Sequence, residues 1–177
     1  WAKLEALCDG IGHRLTGSPQ LEAAITWATG VLKADGHENV RTEPVLAPKW
    51  VRGEESLELL SPRPARLHML GLGMSVGTPT EGIEAEVVVA RDEAEFEALG
   101  DRVKGRIVLF NNPMPPWSRE EGPHYGRTVR FRIKGPRIAS ERGAVAVLVR
   151  SVTAHSLQSP HTGTTSYRDV PEDQRIP

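Results

Sequence analysis

Apolar residues recur at helical spacing near the start of the chain and at strand spacing further on. Trp1, Leu4, Leu7 and Cys8 stand three to four residues apart, which predicts the end of an amphipathic helix that stops at Asp9-Gly10. A second helix is better marked. Ser18 is its N-cap, Pro19 its first residue, and Leu21, Ala24, Ile25, Ala28, Val31 and Leu32 its apolar stripe, with Gly36 as the left-handed stop. Residues 11–19, between the two helices, form a Gly-rich polar loop. Residues 40–46 read as a strand that Pro44 interrupts or confines to an edge.

From about Trp50 the texture changes to short β-like runs between Gly and Pro, and a domain boundary is expected there. Residues 56–60 and 67–72 read as strands, followed by a turn-rich stretch over 73–82. Ile83, Ala85, Val87 and Val89 alternate as one apolar face. Asp92 and Glu95 have capping-box spacing ahead of Phe96 and Leu99. Residues 106–110 and 144–149 are nearly continuous apolar runs of the kind buried on both faces, and a helix over about 136–142 lies between them with Gly143 as terminator. That order predicts a parallel pair with a right-handed crossover. The fold class is therefore α/β: N-terminal helices over 1–50, then a β-rich domain over 51–177 with a flanking helix.

Composition narrows the partners. Lys and Arg number 22 against 23 Asp and Glu, a formal charge of -1, so no global field draws the chain to nucleic acid or an acidic membrane. No run of about 20 apolar residues is present to span a bilayer. Cys8 is the single cysteine, which excludes an internal disulfide and a Cys-based structural zinc site. The local basic excess of Arg127, Arg130, Arg132, Lys134 and Arg137, after His124, reads as a solvated face. An opening at Trp1 without methionine predicts an upstream leader or other segment.

Candidate chemistry is sparse. The six histidines, His13, His37, His68, His124, His155 and His161, include no His-x-x-x-His or His-Glu-x-x-His pair. No Gly-x-Ser-x-Gly elbow occurs, and Gly71–Gly77 lacks the Gly-Lys-Ser/Thr of a phosphate loop. No catalytic residue and no metal ligand is assigned. Arg14 has two readings: a group near a site or a domain clamp, or a structural side chain buried through its stem and satisfied by carbonyls, with Gly17 fixing the turn. The segment Ser159-Pro-His-Thr-Gly163 holds the most compact set of binding groups. His161, Thr162 and Gly163, with Tyr167 nearby, sit on a loop after a buried strand, where binding groups are commonly placed.

Two blocks together resemble a known family. Ile11-Gly-His-Arg-Leu-Thr-Gly-Ser-Pro19, with a helix ending in Leu32-Lys-Ala-Asp-Gly36, is similar to the opening of dinuclear-zinc aminopeptidases and glutamate carboxypeptidases. Val103-Lys-Gly-Arg-Ile-Val-Leu109, followed by Ala139-Ser-Glu-Arg-Gly-Ala-Val-Ala-Val-Leu148, resembles the core of a protease-associated (PA) domain. Leu7-Cys-Asp-Gly-Ile-Gly12, Gly71-Leu-Gly-Met-Ser-Val-Gly-Thr-Pro79, and Arg150-Ser-Val-Thr153 with Ser159-Pro-His-Thr-Gly163, narrow the likeness to the carboxypeptidase Q branch and its bacterial relatives.

The resemblance implies a secreted or periplasmic exopeptidase acting on peptides or dipeptides. It implies two zinc ions held by His, Asp and Glu, with another Glu as general base. The ligand motifs of that family lie downstream of its PA insertion and match nothing in this chain, so the chain alone is expected to be inactive. A PA domain there gates the cleft, shapes substrate access or supports a homodimer. In the family's frame, His161, Thr162, Gly163 and Tyr167 either face the substrate cleft or form only a structured turn. The competing class is a non-catalytic PA-type module that binds peptide or protein.

Overall fold

In the computed structural model, which describes residues 1–155 and 158–177, the chain divides into two units, Trp1–Val51 and Arg52–Pro177. The first opens with α1 (Ala2–Glu5), which runs on as a wider π-type turn over Ala6–Ile11. The helix therefore passes the expected stop at Asp9-Gly10 and ends at Gly12, whose φ of 83° only glycine adopts freely. Helix α2 (Pro19–Ala34) begins as the sequence indicates: Ser18 Oγ accepts from Leu21 N at 3.1 Å and Pro19 is the first helical residue. Residues 40–46, expected as a strand, form none, because no strand of the unit pairs with them and Pro44 has no N–H to offer. The α2 stripe is only partly covered: Leu21, Ala28 and Val31 are half-buried. Ala24 is its one buried residue, while Ile25, Leu32, Trp1 and Leu4 are exposed.

The second unit begins with a short antiparallel pair, β1 (Glu58–Leu59) and β2 (Ala65–Arg66). The second strand thus ends before the expected 67–72. Its main sheet is parallel, with β3 (Val87–Ala90), β4 (Ile107–Phe110) and β5 (Ala146–Val149) in the order β3-β4-β5. Register sets Val88 beside Val108 and Ala90 beside Phe110, and these four line the core face, whereas Val87 and Val89, expected as the apolar face, are exposed. Helix α3 (Glu93–Leu99) adds Phe96 and Leu99 to that face; Asp92 caps it by accepting from Glu95 N at 2.8 Å. Ile107 and Leu109 remain half-buried, so β4 is covered fully on one face only, contrary to the expectation for a continuous apolar run.

Helix formation between β4 and β5 starts earlier than residue 136. A first turn, α4 (Tyr125–Thr128), is followed by α5 (Arg130–Ser140). Pro136 looks like a helix start in sequence but lies inside α5, where its missing N–H withdraws one donor from the ladder. The inward residues Thr128, Phe131, Arg132, Gly135, Pro136 and Ala139 recur at helical spacing. Gly135 brings the helix onto β4: a Cβ there would meet the Phe110 ring at 3.1 Å. Phe110 in turn stacks on Phe131 at 4.5 Å and meets Phe96 at 5.2 Å.

Candidate functional site

Near the break in the α5 ladder, the residues that follow the candidate loop attach to the helix. Ile133 O accepts from Ser166 N at 2.9 Å and from Thr165 Oγ1 at 3.1 Å. On its other side this segment is tied to the glycine-rich bend: Gly73 N donates to Gly163 O at 2.8 Å, and Thr165 N to Gly73 O at 3.0 Å. Gly73, in the Gly71–Gly77 stretch, therefore serves to hold this segment in place. Together these bonds hold residues 161–163 against the buried face of α5, at the level of Arg132.

Arg132 is 9% exposed, although the sequence placed it among solvated cations. Its Nη1 donates to His161 Nδ1 at 2.8 Å and to Thr162 O at 3.0 Å, and its Nη2 donates to the Tyr125 hydroxyl at 2.7 Å. Its Nε is buried without a hydrogen-bond partner among the described residues. The neighbouring cations differ. Arg127 pairs with Glu121, Arg130 and Lys134 with Glu93, and Arg137 with Glu141. Arg132 has no carboxylate within ion-pair distance, and Ser156 and Leu157, outside the described residues, carry none. All three partners are neutral, so the guanidinium keeps its full charge while most of it is withdrawn from water.

The histidine geometry follows from the arginine. A guanidinium cannot accept a hydrogen bond, so His161 Nδ1 must, and the ring bears its proton on Nε2. The ring also lies edge-on to Tyr125 at 5.9 Å, and Arg132 Cζ lies 5.6 Å from the Tyr125 ring centroid. Gly163 approaches so closely that an added Cβ would stand 2.4 Å from Arg132 Cζ.

Of the residues singled out in sequence, His161, Thr162 and Gly163 are brought together around Arg132. Tyr167 is engaged elsewhere: it is 6% exposed, accepts from Val76 N at 3.2 Å and donates to Ile176 O at 2.7 Å. Its hydroxyl is a strut rather than a presented binding group. Arg14 Nη1 reaches Leu7 O at 2.8 Å and also Gly12 O, so carbonyls satisfy it while its stem stays exposed. Arg132 and Tyr125 were missed. The recurrence of Thr128, Phe131, Gly135 and Ala139 would have found Arg132, since it falls on that same stripe.

Burial pushes the Tyr167 phenol above its ordinary value. The fold favours the neutral phenol, so this contribution to stability is complete below about pH 10, the ordinary tyrosine value, and is lost as pH rises through the higher folded value. Tyr167→Phe is expected to cost about 1–2 kcal/mol at neutral pH through its two hydrogen bonds. It should also flatten the alkaline fall in Tm, which thermal melts of both proteins above about pH 9 would measure.

Among the described residues no group of three or more His, Cys, Asp and Glu could hold an ion. Buried His124 meets one carboxylate, that of Glu121, at 3.3 Å. Among the described residues no helix is long and apolar enough to cross a membrane.

No family model matches the chain. The crystal structure of a peptidase M28 precursor from Shewanella amazonensis superposes with a TM-score of 0.82 at 32% identity, over 98% of this chain and 39% of that one. Those values define an α/β chain of the M28 peptidase class. Carboxypeptidase Q of Xenopus laevis is 44% identical over 173 residues, 97% of this chain and 35% of that protein. Carboxypeptidase Q of Homo sapiens is 43% identical over 169 residues, 96% of this chain and 34% of that protein. The chain belongs to the carboxypeptidase Q-like M28 peptidases, and it spans about a third of the length of the curated relatives it matches.

Proposed function

We propose that the chain is the opening region and PA domain of a zinc-dependent exopeptidase that recognises peptides through a free terminal carboxylate. The observation that carries this is Arg132, a buried cation with an unused Nε–H and no carboxylate of its own. Burying an uncompensated charge is costly, and a guanidinium fork matches the two oxygens of a carboxylate. Peptides supply such a group at one end. Residues 1–50 belong to the peptidase domain in this reading, and the exposed apolar residues Trp1, Leu4, Ile25 and Leu32 pack against it. Residues 51–177 form the PA domain, supported by their self-contained core of Phe96, Phe110 and Phe131.

The zinc ions are assigned to residues outside this chain. The work of this chain is to bind and orient: Arg132 fixes the carboxylate end and thereby sets which peptide bond is presented. The enzyme is secreted or periplasmic, and the PA domain shapes access to the cleft or supports a homodimer.

The test compares an unblocked dipeptide with its C-terminal amide, using the peptidase that carries this chain. The dipeptide is expected to be cleaved with the higher kcat/KM and to be protected by a zinc chelator. The 177-residue chain alone is expected to cleave neither and to hold no stoichiometric zinc. Equal cleavage of dipeptide and amide would remove the carboxylate reading. Stoichiometric zinc in the chain alone would remove the assignment of the metal elsewhere.

A further inference from the structure

A guanidinium that is to receive a carboxylate must be held by groups that leave its charge intact. Of the five N–H donors of an arginine, three are taken by His161 Nδ1, Thr162 O and the Tyr125 hydroxyl, which leaves Nε–H and one hydrogen on Nη2. These two nitrogens share an edge of the guanidinium. All three partners are neutral acceptors. A carboxylate in place of any of them would neutralise the site, and a donor would repel it.

Resting on the reading of Arg132 as a carboxylate receptor, we propose that His161 is a positioning residue for that subsite, with Gly163 as its backbone counterpart. His161 Nδ1 holds Nη1 while the ring is braced edge-on by Tyr125, whose hydroxyl holds Nη2. The unsubstituted Cα of Gly163 lets the backbone close over the guanidinium, within 2.4 Å of Cζ for any added Cβ. The arrangement selects a charged, planar carboxylate over a neutral amide.

His161→Phe keeps a ring against Tyr125 but removes the acceptor, and His161→Asn restores an acceptor near the place of Nδ1. In the peptidase that carries this chain, His161→Phe is expected to raise KM for an unblocked dipeptide by roughly tenfold. Its kcat and its kinetics on the dipeptide amide should stay near wild type, and its Tm should fall only modestly. His161→Asn should recover most of the loss, and Gly163→Ala should resemble His161→Phe because its methyl displaces the guanidinium. In the 177-residue chain, titration with glycylglycine should shift the Arg132 Nε–H resonance, and His161→Phe should weaken that response. Unchanged dipeptide KM in His161→Phe, with discrimination lost in Arg132→Gln, would overturn the positioning role alone. Unchanged discrimination in Arg132→Gln would overturn the receptor reading and the positioning role together.

Discussion

Arg132→Gln is expected to lower kcat/KM for an unblocked dipeptide by roughly 10- to 100-fold, while hydrolysis of the dipeptide amide stays within about twofold. A hydrogen bond to a charged group contributes about 1.5–3 kcal/mol, and each 1.4 kcal/mol is about a tenfold change. The amide has no charge to lose, so the ratio of the two substrates isolates the interaction from general damage. Stability should move differently. Arg132 is buried without a counter-charge, and replacing such a cation by an apolar side chain of similar length is often neutral or stabilising. Arg132→Met is therefore expected to keep or raise Tm while losing carboxylate discrimination. A large fall in Tm would mean that the guanidinium is a structural bolt for residues 161–163 rather than a receptor.

Phe110→Ala is the substitution expected to harm the fold most. The ring is fully buried at the junction of β4, α3 and α5, stacked on Phe131 and tilted against Phe96. Removing it costs about 3–5 kcal/mol, from lost burial and from a cavity that neighbours cannot fill. Gly135 already sits against the ring, with no side chain to swing into the gap. For a chain of this size the unfolding midpoint of the Arg52–Pro177 unit should fall by roughly 10 °C. Leu109→Ala, on the half-covered face of the same strand, should cost less than half as much. Similar losses at the two positions would contradict one-sided burial of the sheet.

Surface ion pairs add little to this balance, but one has a defined sign. The Lys134 ammonium, hydrogen-bonded to Glu93, and the nearby Arg130 hold the Glu93 carboxyl below the usual carboxylate range. Its contribution is present above the ordinary glutamate value near pH 4 and is lost as pH falls through the lower folded value. The carboxylate is exposed, so the effect is small.

Local chemistry determined much of the molecule. Ser18-Pro19 sets the start of α2 because a side-chain acceptor and a residue lacking N–H both suit a helix N-terminus. Asp92 and Glu95 set α3 in the same way, and the β-branched runs specify β3, β4 and β5. Family membership was legible too, because the blocks from Ile11 to Leu148 stand in the order of a carboxypeptidase Q-like peptidase. The loop at His161 was legible as a cluster of polar groups, but not what it surrounds. Whether Arg132 faces water or the core depends on where α5 begins, and Pro136 masks that beginning. Which residues meet Arg132 depends on a segment 29 positions away, docked through Ile133 O. Sequence spacing reports neighbours along one helix or strand. A buried guanidinium surrounded by neutral acceptors arises only when separate elements pack, and tertiary structure alone decided it.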